Sequence, residues 1–351
     1  MGSSRNRHAL AAACLAFLAG AEVHAVCCPI PCDDCWITSQ GQLNLVVMDR
    51  DRGEVRLLPN VNFVGMAEDF ALVVPTPAIP EFEVASRDVW AEGRALTSPI
   101  PDSRPADEGI FGCADDRIAV DFGAEEADDV FVHVERTIGA FLVTVISSED
   151  PNALVDWLAE HGFALGAEDA TRFAPYVQRG WFFTAMRLDP NDPGNQMPPG
   201  GWDADVHPVL FVYEAQEFEL PLPIMAINRA GWMSVFVYVV DDHRMTFEGF
   251  DTDYANRLSA GEYAAIAERY PNLARFLSPG RFVTRLQRTF TDADAMDRSI
   301  VLERSPTDDE FRRTFRRRFG AIPAEFLLFA FLLVPRRRRM RRVQARRPGA
   351  G

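Results

Sequence analysis

The sequence predicts an α+β fold built mainly on antiparallel β-sheet, with a few inserted helices and a membrane-associated helix at the C-terminus. Three observations lead to this class. Runs rich in Val, Ile, Phe and Tyr recur along the chain, turn residues separate many of them, and helix signals are few. Because strands dominate and the helices fall between groups of strands, an antiparallel sheet is favoured.

Ten segments have the composition and length of strands. Turn signals separate several of them, such as Asp51-Arg52-Gly53 and Pro59-Asn60, and Ile138-Gly139 predicts a hairpin. The predicted strands are 43–48, 54–58, 61–66, 70–74, 130–137, 140–146, 181–188, 208–213, 232–240 and 281–288.

Three helices are predicted, and two of them carry recognisable start signals. Asp150 is a favoured N-cap, and proline follows it at the first helical position of a helix that ends at Gly162. A second helix is predicted over 168–178. Ser259 and Glu262 have the spacing of a capping box, which predicts a third helix that Pro271 terminates.

Charge is unevenly distributed along the chain. The 36 basic residues are all arginine, and with 51 acidic residues the formal net charge is −15. Residues 311–351 carry 13 arginines and one acid, whereas 21 arginines and 49 acids give residues 26–310 a net charge of −28. An acidic body of this kind argues against nucleic acid as a partner.

The first 25 residues are typical of a secretory signal peptide. Arg5 and Arg7 form a positive n-region, an apolar run follows, and Val23-His24-Ala25 supplies the small residues of a cleavage site. We therefore expect an exported protein whose main domain lies outside the cytoplasm.

The C-terminal end has the pattern of a membrane anchor. Residues 321–335 form a short apolar segment, and the arginine-rich tail 336–351 is expected to stay in the cytoplasm. Residues 301–320 are predicted to be a basic amphipathic juxtamembrane segment, in which 311–319 forms a helix that contacts membrane lipid. The alternative is a buried C-terminal core helix. The predicted membrane-interface residues are Phe311, Phe315, Phe319, Arg336, Arg337, Arg338 and Arg339.

Five cysteines remain after removal of the signal peptide. Disulfides are the default in an exported protein, so two bridges and one spare thiol are expected. The alternative is a zinc site, because two of the cysteines have the Cys-x-x-Cys spacing of metal ligands. The candidates are Cys27, Cys28, Cys32, Cys35 and Cys113.

Other candidate metal ligands are acidic. A proline-rich loop supplies Asp189 and Asp192, which are hard oxygen ligands of the kind that calcium prefers. The sequence Asp241-Asp242-His243 combines carboxylates with an imidazole. Calcium and zinc are thus the cofactors considered, although none is predicted outright.

Two groups are candidates for acid–base or hydrolytic chemistry. Glu68 and Asp69 could act as a carboxylate pair. Asp203, Asp205 and His207 alternate along the chain, and a carboxylate can orient an imidazole. Both groups also fit simple turns or strand ends.

Several segments resemble a bacterial family known as domain of unknown function 2330. The similar segments are GMAEDFALVVPTPAIP at 65–80, DWL at 156–158, PYVQRGWF at 175–182, and an apolar stretch over 206–225 that ends LPLPI. The resemblance covers most of residues 27–245. It implies an exported bacterial protein and brings no activity with it.

We therefore expect an ectodomain over 26–300 that acts as a non-enzymatic binding or interaction module in the cell envelope, with an envelope protein as a candidate partner. The alternative is an envelope hydrolase or metal-dependent enzyme that uses the carboxylate and histidine groups. Catalytic motifs that are local in sequence are missing, but catalytic sites need not be local.

Overall fold

The computed structural model describes residues 28–30, 36–60, 62–66, 71–101, 130–139, 141–188, 204–205, 208–227, 229–291 and 294–315. Its strands are β1 (Cys28–Ile30), β2 (Trp36–Asp49), β3 (Glu54–Asn60), β4 (Asn62–Met66), β5 (Ala71–Thr76), β6 (Glu81–Val84), β7 (Ile100–Pro101), β8 (Val130–Ile138), β9 (Phe141–Ser148), β10 (Phe182–Leu188), β11 (Ala204–Asp205), β12 (Val209–Glu214), β13 (Glu219–Leu220), β14 (Arg229–Asp241), β15 (Met245–Thr246), β16 (Asp251–Arg257), β17 (Phe282–Phe290), β18 (Ile300–Val301), β19 (Glu303–Arg304), β20 (Phe311–Arg312) and β21 (Thr314–Phe315). Its helices are α1 (Asp88–Thr97), α2 (Pro151–Glu160), α3 (Ala170–Val177), α4 (Leu222–Met225), α5 (Ala260–Arg269) and α6 (Pro271–Ala274), and a 3-10 turn (Ala167–Asp169) precedes α3.

Two large sheets form the centre of the fold. The smaller sheet has the strand order β1-β5-β10-β9-β8 and is antiparallel throughout. The larger sheet has the path β20-β16-β17-β14-β2-β3-β12-β6, in which β14 and β2 pair in parallel and the other described neighbours on the path are antiparallel. The prediction of an α+β fold built mainly on antiparallel sheet is confirmed.

Successive side chains of a strand point to opposite faces of its sheet, and the apolar side chains on one face of each sheet pack against those of the other sheet. In β2, Val46 and Met48 face the inner core, which they share with Leu72 of the smaller sheet. Leu43 and Leu45, one position out of phase, face the opposite side of the larger sheet. This alternation fixes the register, because a slip of one residue would exchange the two faces.

Helices cover the outer face of each sheet. Leu154 of α2 and Phe173 of α3 pack with Val73 of the smaller sheet. Trp90 of α1 and Leu273 of α6 pack on the outer face of the larger sheet. Burial of each such side chain contributes about 1.5–3 kcal/mol to stability. The fold therefore has four layers, in the order helices, sheet, sheet and helices.

All ten predicted strands lie within or overlap observed strands. The predicted helix caps are also confirmed. The Asp150 side chain accepts a hydrogen bond from the Asn152 backbone N–H at 2.9 Å. Ser259 and Glu262 form the reciprocal capping box at the start of α5.

The prediction of a helix through Phe311 is wrong for the described residues. Phe311–Arg312 pairs antiparallel with β16, and Thr314–Phe315 pairs parallel with β7. Arginine contacts explain the difference, because Arg313 donates from Nε to Asp253 at 2.7 Å and Arg312 donates from Nη2 to the Leu96 carbonyl at 2.9 Å. These hydrogen bonds hold the segment in extended conformation along the sheet edge.

The remaining C-terminal predictions concern residues 316–351, which lie outside the described residues, as do residues 1–27. Phe319, the apolar segment 321–335 and the arginines of the tail are among them. Within the described part of the chain, every helix is too short or too polar to cross a membrane.

The inner core contains a polar side chain with no visible partner. Asn44 of β2 is 0% exposed. Neither its Oδ1 nor its Nδ2 atom has a hydrogen-bond partner among the described residues. An unsatisfied buried amide is costly, so this position is a local weak point in the packing of the sheets.

Candidate functional site

A cleft of about 340 Å³ opens between the two sheets. Pro75 of β5 and Pro77 come from the side of the smaller sheet, and Leu57 of β3 and Tyr213 of β12 come from the larger sheet. Trp181, which immediately precedes β10, forms a further part of the wall. The cleft is in the size range of small-ligand sites, which are usually apolar with a few placed polar groups.

An arginine–glutamate pair lies in one wall of this cleft. Arg179 donates from Nη1 to Glu219 Oε2 at 3.0 Å and from Nη2 to Oε1 at 2.6 Å. Its Nε donates to the Pro175 carbonyl at 2.9 Å. The side chains are 44% and 15% exposed. The hydrogen bond to Glu219 raises the pKa of Arg179, so the guanidinium stays charged.

Aromatic rings hold the guanidinium in place. The Arg179 Cζ atom lies 4.5 Å from the centroid of Trp181 and 5.2 Å from that of Tyr176. The two rings contact each other, with centroids 5.3 Å apart. Cation–π contacts with a planar arginine are favourable, so these rings and Glu219 fix the side chain from several directions.

Arg179 and Trp181 follow the end of α3, and the turn there places both of them in the wall of the cleft. Gly180 follows the helix with φ +70°, a conformation that glycine adopts without strain. Its N–H donates to the Val177 carbonyl at 2.9 Å, and the Trp181 N–H donates to the Tyr176 carbonyl at 3.1 Å. The chain therefore reverses within two residues, and Arg179 and Trp181 come to lie on the same wall.

Two buried tyrosines stand on this side of the molecule. The Tyr176 hydroxyl is hydrogen-bonded to Ser299 Oγ at 2.8 Å, and burial raises the pKa of Tyr176. Tyr213 is 6% exposed, and both burial and the negative charge of Glu219 raise its pKa. Its hydroxyl has no hydrogen-bond partner among the described residues. Tyr213 therefore presents a neutral O–H donor in the cleft.

The loop after β12 forms the acidic lip of the cleft. The Gln216 carbonyl accepts a hydrogen bond from Arg50 Nη1 at 2.7 Å, and Arg50 also pairs with Asp241 at 2.8 Å. The Ala215 N–H donates to the Gly53 carbonyl at 2.9 Å. These contacts fix the loop, whereas the exposed Glu217 carboxylate forms no ion pair within the described part of the chain.

A second cleft, of about 450 Å³, lies on the outer face of the larger sheet. Val47 and Phe276 are among its apolar residues, and four arginines and four acidic residues line it as well. Arg56 pairs with Glu83 at 3.7 Å. Because its charges are balanced in number, this cleft has no clear preference for one class of ligand.

The predicted catalytic groups cannot be placed as sites. Glu68, Asp69, Asp203 and His207 lie outside the described residues. Asp205 is described by its backbone, which pairs with Asn62 between β11 and β4. The hydrolytic role of these residues stays a prediction.

The sequence Asp241-Asp242-His243 does not form a common site. Asp241 pairs with Arg50, and Asp242 accepts a hydrogen bond from Arg281 Nη1 at 2.6 Å. His243 Nδ1 lies 2.8 Å from Asp308 Oδ2. In the described ranges no three His, Cys, Asp or Glu side chains are arranged to hold a metal ion.

The other predicted metal and disulfide residues stay predictions. Asp189 and Asp192 lie outside the described residues, as do Cys27, Cys32, Cys35 and Cys113. Cys28 is described by its backbone in β1, opposite Val73 of β5.

Sequence reasoning did not identify the cleft, although three of the segments that it singled out contribute to it. They are the proline segment that begins at Pro75, the segment of Arg179 and Trp181, and the segment of Pro221. Their shared position depends on pairing between β5 and β10 and on the packing of the two sheets. Tyr213 and Glu217 carried no local signal.

Comparison with known proteins gives a family but no characterised relative. A family model described as "Uncharacterized protein conserved in bacteria (DUF2330)" matches residues 23–303. No curated protein and no solved structure matches the chain. The matched region includes every residue of the cleft that is named above.

Proposed function

The chain belongs to this family of uncharacterised proteins conserved in bacteria, and on that premise we propose that it is an exported, membrane-anchored binding module of the cell envelope. Its ligand site is the cleft that Pro75, Trp181 and Tyr213 line. The proposed role is binding without catalysis, and the proposed partner is a component of the cell envelope.

The observation that carries the proposal is the combination of a rigid wall with unused polar groups. Arg179 is bound to Glu219 and lies against aromatic rings, so this pair supplies shape more than reactivity. Tyr213 and Glu217 have no hydrogen-bond or ion-pair partner among the described residues. A preformed cleft with a few free polar groups is the usual form of a binding site.

Export and anchoring are supported by the two ends of the sequence. The first 25 residues have the pattern of a signal peptide, and an apolar segment over 321–335 precedes an arginine-rich tail. Phe315 pairs with Pro101 at the edge of the body, and five residues separate it in sequence from the apolar segment. A short connection would then hold the body close to the membrane.

A hydrolytic activity is the second candidate function. The observation that favours it is His243, whose Nδ1 lies 2.8 Å from Asp308 Oδ2. A carboxylate that orients an imidazole is a common element of acid–base sites. Loss of hydrolysis in a substrate screen on His243→Ala, with the fold unchanged, would support this candidate over the binding module.

The binding proposal can be tested by ¹⁹F NMR of the full mature chain labelled with 5-fluorotryptophan in detergent. The Trp181 resonance is assigned from its loss in Trp181→Phe. Fractions of a bacterial envelope extract are then added. We expect at least one fraction to shift the Trp181 resonance in a saturable way, because this ring forms part of the cleft wall.

Trp157 provides an internal control in the same spectrum. It is 5% exposed and lies on the buried face of α2 in the other core, so ligand in the cleft should leave its resonance unchanged. If no fraction shifts Trp181, or if both resonances shift together, the cleft is not the binding site and the proposal fails.

A further inference from the structure

We propose that the cleft binds an extended, proline-containing peptide segment with an arginine or lysine side chain close to the proline. This inference rests on the proposed function, because it names the ligand class of the same site. Three properties of the cleft support it: the shape of its walls, its free hydrogen-bond donors and its uncompensated charge.

The walls suit a peptide that has no internal hydrogen bonds. Pro75 and Pro77 stand on one side, and Trp181 and Phe218 supply aromatic surface. Proline-containing segments keep an extended polyproline II conformation before they bind, so they lose little entropy on binding. Aromatic-lined grooves are the usual receptors of such segments.

The donors of the cleft match the acceptors of this peptide. A polyproline II segment leaves its carbonyl groups free, and its prolines have no N–H group. Tyr213 supplies an O–H and Trp181 an indole N–H, and neither has a partner among the described residues. The Tyr213 side chain is also 94% buried, with 6% exposed, so its hydroxyl gains more from a peptide carbonyl than from bulk water.

The charge of the cleft favours a cation next to the proline. The positive charge of Arg179 is neutralised by Glu219 at 2.6 Å. Glu217 carries a second negative charge that no described cation balances. An arginine or lysine of the peptide would balance the negative charge of Glu217, whereas an acidic peptide would be repelled by it.

The test uses an array of fluorescent ten-residue peptides that combine Pro-x-x-Pro or Pro-Pro with arginine at varied positions. Binding to the full mature chain in detergent is measured by fluorescence anisotropy. We expect the tightest peptides to contain both proline and arginine. Replacement of their prolines by alanine should abolish saturable binding.

Two variants test the named groups. Tyr213→Phe removes only the hydroxyl and should weaken binding about 2- to 12-fold, the effect of one hydrogen bond. Glu217→Gln should weaken binding of arginine peptides about 2- to 5-fold and leave peptides with citrulline in place of arginine unaffected. Glu214→Gln is the matched control. Glu214 is exposed on β12, the strand that carries Tyr213, but it lies outside the cleft, so this change should have no effect on binding.

The outcomes separate the ligand class from the proposed function. Thermal unfolding of Tyr213→Phe should match the parent chain, because the lost hydroxyl has no described partner. If envelope fractions shift the Trp181 resonance while no proline peptide binds, the ligand class is wrong and the binding site stands. If the peptides bind both variants as tightly as they bind the parent chain, the inference is overturned. If no envelope fraction shifts the Trp181 resonance, the proposed function fails as well.

Discussion

Replacement of Asn44 by leucine is expected to stabilise the protein. Leucine has the same number of side-chain heavy atoms and the same branching, so it is an apolar side chain close in shape to the amide. Asn44 is 0% exposed, and its two polar atoms have no described partner. An unsatisfied buried polar group costs about 1–3 kcal/mol, so we expect the free energy of unfolding to rise by about that amount. For a domain of this size the midpoint of thermal unfolding should rise by about 2–6 °C.

The measurement is thermal and urea unfolding of the full mature chain in detergent, followed by tryptophan fluorescence. Asn44→Asp is the matched control, because it keeps the size and adds a charge that no described residue neutralises. That variant should be strongly destabilised. A lower unfolding temperature for Asn44→Leu than for the parent would refute the reasoning, since it would mean that the amide has a partner in the folded protein.

Three further changes test other parts of the structure. Arg179→Met should lower stability by about 1 kcal/mol in urea unfolding, a small loss because the side chain is 44% exposed and its pair with Glu219 is screened by water. The hydrogen bond from His243 lowers the pKa of Asp308. The ionised Asp308 carboxylate therefore stabilises the fold above the ordinary carboxyl pKa of about 4, and this stabilisation is lost as the pH falls through the lowered pKa. Asp308→Asn should accordingly lose less stability than the parent chain between about pH 5 and pH 2.5. Arg313→Ala should speed amide hydrogen exchange of residues 311–315 and cost about 1–3 kcal/mol, because it removes a partner of the buried carboxylate of Asp253; unchanged exchange would contradict the pairing described here.

The central strands were predictable because burial on both faces makes them continuous apolar runs in the sequence. In β2, Leu43 and Leu45 face one side and Val46 the other, so both faces are apolar and the run is recognisable from composition alone. The helix caps were predictable for a similar reason. Asp150 and Ser259 satisfy backbone N–H groups a few residues away, and such contacts are local in sequence.

Helix α1 and the C-terminal strands were missed because tertiary contacts decide them. In α1, Gly93 packs against the Tyr238 ring, where a Cβ atom would lie 3.4 Å from the ring, and glycine is a poor helix former. Phe311 and Phe315 have a spacing of four that is typical of a helix. Arg312 and Arg313 nevertheless bind the Leu96 carbonyl and Asp253, which lie far away in sequence, and pairing with those elements prevails.

The cleft could not be predicted from the sequence because its walls come from separate parts of the chain. Pro75, Arg179 and Glu217 are each about 40 residues or more apart, and the stacking of two sheets brings them together. The segments that contain Pro75 and Arg179-Gly180-Trp181 could be recognised by their resemblance to the family. Their common position, and the free hydroxyl of Tyr213, required the fold.

The central claim is that this cleft is occupied in the cell envelope, and in-cell photocrosslinking tests it most directly. p-Benzoyl-phenylalanine is placed at position 181 of the full chain, and at Phe131 as a control, because Phe131 is 57% exposed on β8 away from the cleft. We predict a discrete crosslinked product from position 181 that is absent from position 131 and weaker when Glu217→Gln is combined with it. No product from position 181, or the same products from both positions, would contradict the account.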